Sequence, residues 1–83
     1  LSHSFENPAI AMQLEGDILR SFDDIAGAVH MYEKAAESYI AQNELVKAIA
    51  VYDHLFTIAD NSDYVEKIIA LYLQLQQHPQ AFG

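Results

Sequence analysis

Residues 29–60 read VHMYEKAAESYIAQNELVKAIAVYDHLFTIAD. Apolar and small side chains return there at intervals of three and four, which is the period of a helix face and not of a strand. Val29, Tyr32, Ala36, Tyr39 and Ile40 share one side of a first segment, with Ile25 upstream on the same side. Leu45, Ala48, Ile49, Tyr52, Leu55, Phe56 and Ala59 share one side of a second. The stripe restarts near Asn43 after a very short connection, and a connection that tight makes neighbouring helices antiparallel. The stretch therefore predicts a helical hairpin, with helices over 24–42 and 44–59.

The same period extends outward in both directions. Asp60-Asn61-Ser62-Asp63 is a cluster of residues that bond their own backbone in turns, and Asp63 with Glu66 has capping-box spacing. A helix over 63–77 follows, carrying Val65, Ile68, Ile69, Tyr72 and Leu75. It stops near Gln77, because the residue before Pro79 is pushed out of helical geometry. Pro79 then suits the first turn of a truncated helix over 79–83. Upstream, Asp23-Asp24 favours the positive end of a helix dipole and marks the start of the hairpin's first helix. Before it, Asn7 caps and Pro8 opens a helix over 9–22, in which Ile10, Leu14 and Ile18 line up toward Phe22. Residues 1–8 read as a flexible lead. The fold class is all-α, an array of antiparallel helical hairpins with about four helices and part of a fifth.

The totals narrow the functions available. An apolar fraction of 52% over 83 residues supports a packed domain and not a disordered tail. Twelve acids against four bases leave a charge of -8. That charge repels phosphate backbones and anionic headgroups, so nucleic acid and membrane surfaces are excluded as partners. With no cysteine there are no disulfides or thiolate metal sites, and packing must hold the fold. The opening residues lack the basic start and apolar stretch of a signal peptide, so the expected location is the cytoplasm. It begins without methionine and reads as a piece of a longer protein.

The order of residues in the hairpin resembles the tetratricopeptide repeat, which spaces a large aromatic, a Leu-Gly pair and a Tyr on one helix and an Ala and an aromatic on the next, over 34 residues. Tyr32, Ala35, Ala36 and Tyr39 stand at the first-helix spacings, Ala48 and Tyr52 at the second, and Asp60 where a proline is usual. The departures are Tyr for Trp, Ala-Ala for Leu-Gly and Asp for Pro. A second, weaker copy begins 33 residues on, with Val65, Ile68, Ile69, Tyr72 and Ala81. An overlapping frame through Met12, Gly16, Leu19, Ala28, Tyr32 and Ala35 also fits. The later frame is preferred because its copies lie nearly one period apart and Pro79 opens a hairpin where one is due. The resemblance implies a right-handed superhelical array whose core positions here are Tyr32, Ala36, Tyr39, Ala48, Tyr52, Ile69 and Tyr72.

Few residues of the chain are arranged for chemistry. His3, His30, His54 and His78 are never three or four residues apart, so no two imidazoles share a helix face as a metal pair. Asp60 to Asp63 lacks the central glycine and closing glutamate of a calcium loop. Asp23-Asp24 reads as the start signal of a helix in water and not as the desolvated pair that acid–base catalysis needs. No nucleophile elbow or phosphate-binding glycine loop is present. The expectation is a non-enzyme with no metal and no cofactor.

What remains is surface. In the family resembled, the first helices of successive hairpins line a concave groove for a peptide, and those positions fall here on His30, Glu33, Glu37, Ile40, Asp63, Glu66, Leu73 and Gln74. The competing reading makes the glutamates a solvated face paired with Lys34, Lys67 or water. Glu37 stands where some relatives place an asparagine that grips a terminal carboxylate, so that specificity is not carried over. The expected partner is a basic or amphipathic polypeptide. The alternative is a second copy of the chain, covering apolar surface left at the last helix.

Overall fold

The computed structural model describes residues 7–77. Among them it is all-helical, with four helices in the order α1 (Pro8–Ser21), α2 (Ile25–Ala41), α3 (Leu45–Ala59) and α4 (Ser62–Gln77), each packed on the next. The molecule is only 14 Å through its thinnest direction, so the helices form a single layer with both faces open to solvent. The expected start of a fifth helix at Pro79 and the lead before Asn7 lie outside the described residues.

Antiparallel packing of α1 and α2 is visible in their side-chain bonds. Tyr32 donates its hydroxyl to Asp17, Tyr39 to Gln13 at 3.0 Å, and the Gln42 amide donates to Asn7 at 2.9 Å. As the α2 partner advances, the α1 partner retreats. Asn7 Oδ1 also accepts from the Ala9 amide at 2.9 Å, capping α1 with Pro8 in its first turn.

The α1–α2 and α2–α3 connections share one construction. Asp23 and Asn43 take left-handed φ values of 67° and 64°. The amides of Asp24 and Glu44 reach back to the carbonyls of Leu19 and Tyr39, and those of Asp23 and Asn43 to Arg20 and Ile40. This is the Schellman closure, with Asp and Asn in the position usually given to glycine because their short polar side chains tolerate it. Asp23 therefore ends α1, and only Asp24 caps α2, accepting from the Gly27 amide at 3.1 Å. At α4 the side chain that accepts from the first turn is that of Asn61, from the Asp63 amide at 2.9 Å, and the helix begins at Ser62. The expected Asp63 cap is thus displaced by two residues.

The core runs along the centre of the layer: Tyr32, Ala36, Tyr39, Ala48, Tyr52 and Leu55 are all buried. Small residues set the spacing. A Cβ on Gly16 would lie 2.9 Å from Tyr32 Cε1, so the Tyr32 ring rests against bare backbone of α1. On its other side the ring meets His54 of α3 edge-on, with centroids 5.1 Å apart. Gly16→Val is therefore expected to lower stability by about 1–3 kcal/mol through overpacking, read as a lower urea midpoint at unchanged slope.

Three expectations about buried sides are corrected. Ile69 and Tyr72, expected in the repeat core, are each 53% exposed; α4 turns Tyr64 and Leu71 inward instead, and its far flank meets no described helix. Ile25 is 38% exposed, being at the first position of α2. The line of Ile10, Leu14, Ile18 and Phe22 also faces outward, because α1 packs through Ala9 and Gly16, whose small size admits the tyrosines of α2.

Candidate interaction surface

His30, Glu33, Glu37 and Ile40 recur at intervals of three and four and share one face of α2. On α4, Asp63, Lys67, Ala70 and Gln74 do the same. The two faces are tied by one bond, from the Tyr64 hydroxyl to Glu33 Oε2 at 2.5 Å. Tyr64 is buried, so Glu33 has a structural duty as well as an acidic charge on the face.

Between these helices, with α3 beneath, lies a shallow depression lined by Ile40, Tyr52, Lys67, Ala70, Leu71 and Gln74. A second, lined by Asp63, Glu66, Lys67 and Ala70, adjoins it through the two shared residues. Of the expected groove residues, the structure thus gathers Ile40 and Gln74 in one hollow and Asp63 and Glu66 in the next. His30, Glu33, Glu37 and Leu73 line neither; Leu73 follows Ile69 by four residues and belongs with it on the outer flank, 53% exposed.

Tyr52 forms part of the floor, at 3% exposure. It stacks on Tyr64 with centroids 6.0 Å apart. Lys67 holds its ammonium 5.8 Å from the centre of the Tyr52 ring, within the range of a cation–π contact. Among the described residues the one ion pair is Lys47 with Glu44 at 3.8 Å, so the acids of this face pair with neither Lys34 nor Lys67 and water is left as their partner in the solvated-face reading. Burial raises the Tyr52 hydroxyl pKa above its usual value, and the charges of Glu37 and then Glu33 add to the rise. Burial likewise raises that of Tyr64, with its bond to Glu33 next in effect.

The pattern of acids and Ile40 made the rim legible in the sequence. Its floor was not, because Tyr52 and Leu71 carry ordinary core spacing and only the tertiary arrangement opens them to a hollow. Among the described residues no group of three His, Asp or Glu side chains is placed to hold a metal ion. No described helix is long and apolar enough to cross a membrane. Compared with protein families, with curated proteins and with solved structures, the chain matches none.

Proposed function

We propose that this chain is a non-catalytic interaction scaffold of the tetratricopeptide-like kind, working without a cofactor in the cytoplasm, and that its α2–α4 face holds a basic or amphipathic polypeptide. The observation that carries the proposal is the pair of joined hollows, apolar at Ile40, Ala70 and Leu71 and rimmed by Asp63 and Glu66. An amphipathic segment would set its apolar side chains into the hollows and its cations toward the acids, with Glu37 and Glu33 on the α2 side. The net charge of -8 speeds such an encounter and rejects acidic competitors.

The test is calorimetric titration with a basic amphipathic helical peptide and its acid-substituted counterpart. Glu37→Lys with Glu66→Lys should weaken the basic peptide about tenfold, as two like-charge contacts replace two attractive ones. Both side chains are exposed, so the fold is retained. Glu33 is left in place because it holds Tyr64. Equal affinity in the double variant removes the assignment.

A second reading is self-assembly, favoured by the outer flank of α1. Ile10, Leu14, Ile18 and Phe22 are 47%, 57%, 56% and 76% exposed along one line. Exposed apolar surface of this continuity is a common mark of association. Light scattering across a wide concentration range decides it: a dimer dispersed by Leu14→Asp supports self-contact through α1, and a persistent monomer excludes it.

A further inference from the structure

The four tyrosines of the packed core are not equivalent. The hydroxyls of Tyr32, Tyr39 and Tyr64 donate to Asp17, Gln13 and Glu33. Tyr52 is as buried as they are, at 3% exposure, yet the tyrosine hydroxyl bonds seen among the described residues are those three and none involves it. A tyrosine hydroxyl this buried ordinarily has a partner. Tyr52 is one of the residues that line the hollow between α2 and α4.

Two further features define what that ligand carries. Glu37 and Glu33 bring negative charge to bear on Tyr52 from the α2 side. From the α4 side Lys67 already extends its own ammonium toward the ring, with no carboxylate of the described residues within ion-pair distance. The hollow thus draws the chain's own cation to an aromatic surface beside acids, in a place with apolar walls at Ile40 and Leu71. A flat guanidinium suits it better than an ammonium, because it stacks on a ring and donates in several directions at once.

We propose that the Tyr52 hollow is a specificity pocket for one arginine side chain of the docked polypeptide, and that Lys67 occupies it in the empty state and competes for it. The proposal rests on the α2–α4 face being the docking site. The incoming guanidinium donates to the Tyr52 hydroxyl oxygen, stacks on the apolar wall and faces Glu37, while Lys67 withdraws to solvent. Lys67 then acts as a brake that sets a threshold: a neutral side chain gains too little to displace it.

Two helical peptides test this, identical in their apolar stripe and in lysines confined to the ends, one with a central arginine and one with citrulline, which keeps the shape without the charge. Fluorescence anisotropy is read on the wild-type chain, on Tyr52→Phe and on Lys67→Met. The arginine peptide is expected to bind about tenfold tighter than the citrulline peptide. Lys67→Met should tighten it a further 2- to 5-fold, and Tyr52→Phe should weaken it several-fold while keeping the ring in the core. Thermal unfolding of each variant confirms that it is folded. Equal binding of the two peptides overturns the pocket and leaves the docking face standing. Binding of neither overturns both, and an unchanged affinity in Lys67→Met removes the competition.

Discussion

Tyr32→Ala is expected to remove a large share of the stability of this chain, lowering its thermal midpoint by roughly 15 °C or more. Tyr32 is 1% exposed and is, with Leu55, one of the two largest side chains that are fully buried. Its ring bridges three helices, lying on Gly16 of α1 and edge-on to His54 of α3. Truncating a buried aromatic costs about 3–5 kcal/mol, because lost transfer energy and an unfilled cavity add. For 83 residues the whole stability is on the order of 4–12 kcal/mol. Tyr32→Phe, which loses only the bond to Asp17, should cost about 1 kcal/mol. Thermal and urea unfolding followed by circular dichroism reads both. A loss under 1 kcal/mol for Tyr32→Ala would show that the layer is not pinned at this residue.

The second large effect is a loss of stability in alkali. Burial, and then the bond to Asp17, raise the Tyr32 pKa from 10.0 to about 12. Tyr64 moves in the same direction, through burial and its bond to Glu33. Each hydroxyl is neutral below pH 10 in both folded and unfolded chains, so its contribution is fully present there. Above pH 10 the unfolded chain releases protons that the folded chain retains, and that contribution is lost as pH rises toward the folded pKa. Tyr32 alone accounts for something on the order of 2 kcal/mol across this window. The urea midpoint should hold level from pH 8 to 10 and then fall steeply. Tyr32→Phe, already weaker at pH 8, should fall less between pH 10 and 12. An equal fall in both chains would trace the effect to other groups.

Much of the fold was legible because α2 and α3 each have one packed side, and a three-and-four period locates it. Tyr32, Ala36, Tyr39, Ala48 and Tyr52 were found that way, and all are buried. The end helices resisted the same reading for a physical reason. Helix α1 is apolar on two sides; period analysis weighs the large Ile10, Leu14 and Ile18, whereas packing uses the small Ala9 and Gly16 because close approach of backbones depends on what is missing. Helix α4 is likewise apolar beyond the width it buries, so Ile69 and Tyr72 could not be told from Tyr64 and Leu71 by spacing.

The surface was legible in its outline only. Glu37, Asp63, Glu66 and Gln74 could be placed from helical intervals, but Glu33's bond to Tyr64 spans 31 residues and leaves no local trace. Lys67 read as a neighbour of acids, and its position over Tyr52 depends on α3 and α4 meeting. The left-handed turns at Asp23 and Asn43 have a sequence signal in hindsight: Asp or Asn lies just after a helix's last turn and immediately before an acidic residue at the start of the next.

The central claim is that the α2–α4 face is where a polypeptide docks. The most direct measurement is a nuclear magnetic resonance titration of the isotope-labelled chain with a basic amphipathic helical peptide, following each backbone amide. Saturable shifts at Glu37, Ile40, Lys67, Ala70 and Gln74, with Leu14 and Ile18 unmoved, are the predicted result. Shifts confined to the outer flank of α1, or no saturable shift at all, would contradict it.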